Sequence, residues 1–216
     1  MYVKDNMIPD PITIRPEQSV SEAIDLMSEN RLHRLPVVNE DNRLVGLVTE
    51  GIIASNTPNN ASTLSVFELN YLLNKLTVDD IMEKNVITIG KEALLEEAAT
   101  ILRKNDIGCL PVIDENGILE GIITHNDIFT AFIDLLGYNH NGIRYVISIA
   151  EDKPGIMEEI AGVLSKENVS ISNLAVYYNS RGIEVVVMSY GYNDVSDKLK
   201  EAGYNVTSVI KLHKEY

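Results

Sequence analysis

The chain has 216 residues, which leaves room for two or three small domains. Its formal net charge of −14 argues against nucleic acid as a direct partner, because duplex binding depends on Lys and Arg side chains that neutralise phosphates. The single cysteine, Cys109, excludes an intramolecular disulfide, and no apolar stretch reaches the roughly 18 residues that suggest a membrane span. The N-terminal residues do not resemble a signal peptide, so we expect a cytoplasmic protein without a membrane partner.

The first part of the chain predicts an alternation of short strands and helices. Residues 12–14 (Ile-Thr-Ile) are prone to extended structure, and Ser19 with Glu22 three residues later fits a capping box at a helix start. Four apolar residues then share one helical face: Val20, Ala23, Ile24 and Met27. The unit is completed by a strand at 35–38, a turn at 40–42, a strand at 44–48 and a helix that begins near Thr49.

A loop and an amphipathic helix are predicted after this unit. Residues 55–65 are rich in Asn, Ser and Thr and contain Pro58, a composition that is typical of a loop. Residues 66–76 carry leucines at helical spacing, so we expect a helix that caps one face of the protein or meets a partner subunit.

Residues 7–53 recur without a gap at residues 82–128, and 16 of the 47 aligned positions are identical. The second copy accordingly predicts a helix at 94–102, a strand at 110–113, a turn at 115–117, a strand at 119–123 and a helix from Asp127. Two copies of one unit suggest that each packs against the other, with a cleft on their pseudo-twofold axis that carries two related ligand sites. This organisation is typical of a sensor.

The pattern changes after the boundary at 137–142. A strand at 145–149 leads through the turn 152–155 into a helix, and strands at 170–178 and 183–190 flank a hairpin turn at 179–182. A helix at 195–202, which Gly203 ends, and a strand at 205–212 follow. This β-α-β-β-α-β order is that of the ferredoxin-like fold.

The repeated segments resemble the CBS domain, which occurs in tandem pairs; residues 35–37 with 45–49, and 110–112 with 121–127, carry the resemblance. The C-terminal third, with Asp152-x-Pro154-Gly155 on its first strand–helix turn, resembles the ACT domain. The order CBS–CBS–ACT resembles the AcuB family of acetoin utilisation proteins. The resemblance implies an α/β (α+β) fold, with a tandem CBS domain pair (a Bateman module) at 1–76 and 77–138 and a ferredoxin-like βαββαβ ACT domain at 143–216.

The resemblance to nucleotide-binding CBS pairs implies that Asp127 accepts hydrogen bonds from both ribose hydroxyls and that Thr124 contacts the ribose or the α-phosphate. A carboxylate can accept two such bonds, and its charge strengthens both. An N-cap of the helix is the alternative role, compatible with the first because a helix N-terminus also favours phosphate. The implied nucleotide-binding residues are Ile87, Thr88, Gly108, Leu110, Pro111, Thr124, His125, Asn126, Asp127, His33 and Arg34.

The first copy departs from this pattern. Ile52 occupies the position that corresponds to Asp127, and an isoleucine cannot bond a diol, so we expect the first site to be weak, empty or filled by a ligand without ribose contacts there. That weaker second nucleotide site would comprise Ile12, Thr13, Leu35, Pro36 and Thr49. By the same resemblance, His33 and Arg34 reach phosphates across the cleft, a task that suits the planar fork of arginine. The alternative for Arg34 is a solvated side chain paired with an acidic neighbour.

The ACT resemblance implies an amino-acid site at Asp152, Gly155, Ile156 and Ser170. The family often has Asn where this chain has Ser170, so a purely dimerising role for this domain is the alternative.

No Gly-rich phosphate loop, HExxH or GxSxG motif occurs, and the four histidines lack the spacing of metal ligands. We therefore expect no enzyme activity, no metal and no cofactor, and we expect His140 and His213 to be exposed. The sequence indicates a non-catalytic regulator that senses AMP, ADP, ATP or a related adenosyl ligand and forms a homodimer or a dimer of dimers. The alternative is a structural adaptor with vestigial ligand sites that controls a partner protein, as yet unknown, by contact alone.

Overall fold

The computed structural model describes residues 1–56, 73–180 and 182–213. The chain divides into two compact units, Met1–Ile128 and Phe129–Tyr216. Most of the predicted loop at 55–65, most of the predicted helix at 66–76 and Arg181 of the predicted hairpin turn lie outside the described residues. Within the described ranges, no helix combines the length and the apolar character that crossing a bilayer requires.

The first unit contains both copies of the repeat. The first copy comprises β1 (Ile8–Pro9), α1 (Val20–Asn30), β2 (Arg34–Val38), β3 (Leu44–Thr49) and α2 (Glu50–Asn56). The second comprises α3 (Val78–Ile81), α4 (Leu95–Asn105), β4 (Cys109–Ile113), β5 (Leu119–Thr124) and α5 (His125–Leu135), whose end enters the second unit. The helices predicted in both copies and the strands at 35–38, 44–48, 110–113 and 119–123 are thus confirmed, although α5 begins two residues before Asp127.

The start of α1 follows from its capping box, as predicted. Ser19 Oγ accepts a hydrogen bond from Glu22 N at 3.2 Å, and the Glu22 carboxylate accepts one from Ser19 N at 2.7 Å. Two N–H groups that the first turn leaves unbonded are thereby satisfied. Of the predicted apolar face, Val20, Ala23 and Met27 are buried, whereas Ile24 remains 36% exposed.

The segment that opens each copy crosses to the other copy. Ile8 of β1 pairs with Ile122 of β5 in an antiparallel ladder, and Glu83 makes the corresponding two backbone hydrogen bonds with Leu47 of β3, each 2.9 Å long. The expected strand at 12–14 contributes only a single parallel bridge, from Ile14 to Val37. The two copies therefore exchange segments about their pseudo-twofold axis.

Glycines allow this exchange, because each crossing segment lies against a glycine of the opposite copy. A Cβ built on Gly121 would lie 2.6 Å from the Met7 sulfur and 3.0 Å from the Ile8 carbonyl oxygen. Gly46 meets the Met82 thioether and the Glu83 carbonyl oxygen in the same way. The identical glycines at these two repeat positions are thus explained by the close approach of a backbone and a methionine.

We expect Gly121→Ala to lower the free energy of unfolding by about 1–3 kcal/mol, since overpacking forces the neighbouring chain to shift. Urea unfolding of the full chain measures this. Gly90→Ala is the matched control: a Cβ there meets no heavy atom of the described residues within 4 Å, so its effect should stay within about 0.5 kcal/mol. Equal stability of the two variants would contradict the packing argument.

The second unit has the predicted β-α-β-β-α-β order. Its elements are β6 (Gly142–Ile149), α6 (Ile156–Lys166), β7 (Ile171–Asn179), β8 (Gly182–Tyr190), α7 (Ser196–Glu201) and β9 (Asn205–Leu212). The four strands form one antiparallel sheet in the order β7-β8-β6-β9, the arrangement of a ferredoxin-like fold. The core lies between alternate residues of the strands and the two helices, with Tyr145, Ile147 and Ile160 fully buried.

A hydrogen bond links α6 to the residue that precedes β9. The Tyr204 hydroxyl donates to the Glu159 carboxylate at 2.6 Å. Burial, together with this bond to a carboxylate, raises the pKa of Tyr204 from 10.0 to about 12. The neutral phenol is therefore favoured by folding, and the contribution is fully present below pH 10 and lost as the pH rises toward 12.

We expect tyrosinate absorbance to include a component that ionises near pH 12, and Tyr204→Phe to remove that component. The same variant should flatten the fall in unfolding free energy between pH 10 and pH 12. Tyr178→Phe is the control, because Tyr178 is 73% exposed. If Tyr178→Phe and Tyr204→Phe change the alkaline titration alike, the bond to Glu159 does not perturb Tyr204.

Candidate functional site

A cavity of about 500 Å³ lies in the first unit between the two copies, and we call it the first cleft. One wall comes from the first copy and the other from the second. The residues that line it are Ile8, Asp10, Pro11, Ile12, Arg31, Leu32, His33, Arg34, Pro36, Gly108, Ile122, Thr124, His125, Asn126 and Asp127.

Asp127 lies in this cleft in the first turn of α5. Its Oδ2 accepts two hydrogen bonds from Thr124, from the backbone N and from Oγ1, both 2.7 Å long. Asp127 is therefore not the N-cap that the sequence offered as its alternative role: Thr124 precedes the helix, and Asp127, its third residue, bonds back to Thr124 as in a capping box. Among the described residues, none donates a hydrogen bond to Asp127 Oδ1, so that oxygen can accept from a ligand while Oδ2 bonds Thr124.

Three basic residues of the first copy face Asp127 across the cleft. Arg31 ends α1 in the left-handed conformation (φ 54°), and Arg34 opens β2, where Thr49 is its partner in register. His33 Nδ1 lies 2.9 Å from the Glu50 carboxylate, in a pair that is exposed on both sides. In the described part of the chain, Arg34 has no carboxylate within ion-pair distance, so its charge is available to an anion.

The Arg34 guanidinium lies on Gly108 and beside Cys109. A Cβ on Gly108 would come within 2.5 Å of a guanidinium nitrogen, so the lack of a side chain at Gly108 creates the space for Arg34. Burial raises the pKa of the Cys109 thiol, and its hydrogen bond with Arg34 and the positive charge of Arg34 oppose that rise only in part. Cys109 is therefore a neutral thiol near pH 7 and does not cancel the charge of Arg34.

A second cleft of about 320 Å³ lies on the other side of Arg34. Its lining residues are Arg34, Leu47, Thr49, Ile52, Glu83, Asn85, Val86, Ile87, Ile107, Gly108 and Cys109. Thr49 and Ile52 occupy here the positions that Thr124 and Asp127 occupy in the first cleft. Thr49 Oγ1 accepts a hydrogen bond from Ile52 N at 3.2 Å, so the helix cap persists without the carboxylate.

The structure groups the predicted site residues differently from the sequence. The first cleft unites Gly108, His33, Arg34 and residues 124–127 with Ile12 and Pro36, which the sequence had assigned to the weaker site. Ile87 lies instead in the second cleft with Thr49. The remaining predicted residues, Thr88, Leu110, Pro111, Thr13 and Leu35, line neither cleft, and Leu110 and Leu35 are core residues with 0% exposure.

The cause of this regrouping is the crossing of the copies. Because residues 8–9 pair with β5, the wall formed by Ile8, Asp10 and Ile12 faces the second copy's Asp127. Sequence reasoning missed Ile8, Asp10 and Arg31 in the first cleft and Val86 and Ile107 in the second. The repeat gave no signal for them, since an alignment pairs equivalent residues but does not say which copy each one faces.

In the second unit, Gly155 has φ 99° and precedes α6, whose Ile156 is buried. The Tyr178 hydroxyl lies 3.5 Å from the Asp152 carboxylate, and Ser170 accepts a backbone hydrogen bond from Tyr190 at 2.9 Å. These contacts give the positions of the four predicted residues, and the amino-acid site stays a prediction.

His140 is not fully exposed, contrary to the expectation from sequence. Its ring stacks on Tyr190, with 5.8 Å between ring centroids, and its Nδ1 lies 3.3 Å from Asn173 Oδ1. The Asn173 amide in turn donates to the Leu135 carbonyl at 2.9 Å, near the end of α5. His140 therefore holds the loop between α5 and β6 against β7 and β8 of the second unit. His213 is exposed, as expected, and lies 2.6 Å from the Tyr192 hydroxyl.

Two curated relatives match part of this chain. Homoserine O-acetyltransferase of Methanohalobium evestigatum is 35% identical over 127 residues, and inosine-5′-monophosphate dehydrogenase of Aquifex aeolicus is 31% identical over 125 residues. The matches cover 59% and 58% of this chain but only 23% of each relative. This chain therefore spans about a quarter of the length of these relatives.

Three solved structures share the fold. An acetoin utilization protein (AcuB) from Vibrio cholerae has a TM-score of 0.54 and 27% identity and covers 64% of this chain and 95% of its own. CBSX2 of Arabidopsis thaliana in complex with AMP has a TM-score of 0.52, 29% identity and coverage of 62% and 96%. The CBS domain pair of protein MJ0100 in complex with 5′-methylthioadenosine and S-adenosyl-L-methionine has a TM-score of 0.51, 30% identity and coverage of 61% and 95%.

The family model of the CBS domain matches this chain twice, at residues 3–56 and 78–134. The matches together span just over half of the chain, and they coincide with the two copies that exchange segments in the first unit. The chain belongs to the CBS domain family.

Proposed function

We propose that this CBS domain protein is a non-catalytic regulator that binds AMP, ADP, ATP or a related adenosyl ligand in the first cleft. One observation carries the proposal: Asp127 of the second copy and Arg34 of the first line the same cavity. Structural neighbours of this chain are complexes with AMP and with 5′-methylthioadenosine and S-adenosyl-L-methionine, which supports the ligand class.

The polar groups of the first cleft suit the parts of such a ligand. Asp127 Oδ1 would accept from the ribose hydroxyls, as a carboxylate can accept two bonds. Arg34, with Arg31 nearby, would bind phosphate, and the N-terminus of α5 would add favourable dipoles. The exposed Ile12 and the neighbouring Pro36 would contact the base.

Thermal shift and native mass spectrometry of the full chain test this proposal. AMP, ADP, ATP and S-adenosylmethionine are added in turn, and a ligand at 100 times its dissociation constant should raise the free energy of unfolding by about 2.7 kcal/mol. Native mass spectrometry of protein purified from its host should show a retained ligand. Failure of every adenosyl ligand in both experiments would exclude a nucleotide sensor.

A structural adaptor with vestigial ligand sites is the second candidate. The observation that favours it is the engagement of Asp127 Oδ2 by Thr124, since a helix cap alone accounts for this carboxylate. An adaptor would show no stabilisation by adenosyl ligands, so the same experiments separate the two functions.

We propose further that the second unit is an ACT domain and that the chain forms a homodimer or a dimer of dimers. The β-α-β-β-α-β order supports the first assignment. For the second, β7 lies at the edge of its sheet with Leu174 and Val176 exposed by 43% and 38%, a surface that pairing with another copy would cover. The native mass spectrum reports the oligomer as well as the ligand.

The similarity to the Vibrio cholerae protein supports a role in the regulation of acetoin or related carbon metabolism, through control of a partner enzyme.

A further inference from the structure

The second cleft differs chemically from the first. Its wall is mostly apolar: Leu47, Ile52, Val86, Ile87, Ile107 and the neutral thiol of Cys109. Ile52 replaces the carboxylate that the first cleft offers at the equivalent position, and Ile87 is 39% exposed. An apolar wall with an exposed isoleucine favours a hydrocarbon ligand over a sugar.

Two of the polar residues of this cleft, Arg34 and Thr49, are partners in register on β2 and β3. Thr49 Oγ1 accepts from Ile52 N, which leaves its hydroxyl hydrogen free to donate. The acidic residue of the cleft, Glu83, accepts a hydrogen bond from Asn85 N at 2.7 Å and so closes a turn. Of the described residues that line the cleft, Arg34 is the only one with a positive charge, and it faces no ion-pair partner.

We propose that the second cleft binds a small apolar carboxylate of the fatty-acid type, with its carboxylate on Arg34 and Thr49 and its hydrocarbon chain on Ile52, Val86 and Ile87. The planar guanidinium matches a carboxylate with two parallel hydrogen bonds. Each methylene group that is buried against the apolar wall lowers the free energy of binding. The negative charge of Glu83 repels an anion from the part of the cleft that Glu83 occupies.

The two ligands would then compete for one side chain. Arg34 and Gly108 line both clefts, and a single guanidinium cannot make its strongest bonds to a phosphate and to a carboxylate at once. A fatty carboxylate should therefore weaken AMP and leave adenosine unaffected. This antagonism rests on the proposed function of the first cleft, whereas carboxylate binding in the second cleft does not.

Calorimetry with butanoate, hexanoate and octanoate tests the proposal on the full chain. Affinity should rise about fourfold with each added methylene, from about 0.8 kcal/mol per buried methylene. Hexanamide, which has a similar shape without the charge, should bind at least tenfold more weakly than hexanoate. An affinity that is independent of chain length, or equal for hexanoate and hexanamide, would overturn the proposal.

A matched pair of variants shows which cleft each ligand occupies. Ile87 and Ile12 are equivalent positions of the repeat, 39% and 41% exposed, so neither change to Asn should impair folding. Ile87→Asn should weaken octanoate binding at least tenfold and leave adenosine binding unchanged. Ile12→Asn should weaken adenosine binding at least tenfold and leave octanoate binding unchanged. If Ile87→Asn does not change octanoate affinity, the ligand binds elsewhere and the proposal is wrong.

The stoichiometry of AMP completes the test. One AMP per chain, antagonised by octanoate, supports both proposals. Two AMP per chain, with the second lost in Ile87→Asn, would identify the second cleft as a nucleotide site and overturn the carboxylate proposal. Octanoate binding that depends on Ile87, with no AMP binding at all, would refute the nucleotide sensor and retain the carboxylate site.

Discussion

Asp127→Ala is expected to weaken AMP and adenosine alike by about 1.5–3 kcal/mol, the range for hydrogen bonds to a charged group. The loss is equal for the two ligands because Asp127 Oδ1 is available to the ribose, which both contain. Isothermal calorimetry with each ligand measures the effect.

The control for Asp127→Ala is a second carboxylate with the same capping role. Asp80 Oδ2 accepts from Thr77 N at 2.9 Å and from Thr77 Oγ1 at 2.7 Å, the arrangement that Asp127 makes with Thr124, but Asp80 lines neither cleft. Both variants should lose about 0.5–2 kcal/mol of stability as the cap is removed. Only Asp127→Ala should lose ligand affinity, and an equal loss in Asp80→Ala would mean that the ligand responds to stability alone.

Arg34→Ala is expected to weaken AMP by about 1.5–3 kcal/mol while adenosine, which lacks phosphate, is barely affected. In a chain of net charge −14, a phosphate needs a local cation, and Arg34 has no described carboxylate partner that would cancel its charge. The difference between AMP and adenosine should shrink at high salt, because mobile ions screen the attraction.

Gly108→Ala tests the same role without removing the charge. A methyl group there would displace the guanidinium, so this variant should also weaken AMP and spare adenosine. Arg34→Lys should restore the charge but not the bidentate geometry and should therefore recover only part of the affinity. Equal weakening of AMP and adenosine by Arg34→Ala would show that Arg34 supports the fold or the base pocket instead of the phosphate.

The elements of the fold could be predicted from sequence because each has a local physical cause. The capping box of Ser19 and Glu22 starts α1, alternating apolar residues form β6, and Gly155 adopts a positive φ before α6. The resemblance to nucleotide-binding CBS pairs also identified Thr124 and Asp127 together, and their contact is local, since the Asp127 carboxylate reaches a residue only three positions away.

The composition of each cleft could not be predicted, because it depends on which copy each segment faces. Ile12 belongs to the cleft of Asp127 only because residues 8–9 cross to β5, and that exchange depends on backbone hydrogen bonds between chain segments more than a hundred residues apart. Ile87 joins Ile52 for the same reason.

The position of Arg34 between the clefts was likewise decided by tertiary structure. The sequence placed Arg34 directly before the predicted strand at 35–38, but the space for its guanidinium between the clefts comes from Gly108 in the other copy, where any Cβ would meet the guanidinium. The sequence by itself therefore determined two copies of one unit and their polar residues. Only the packing of one copy against the other determined that the same positive charge, that of Arg34, lines both clefts.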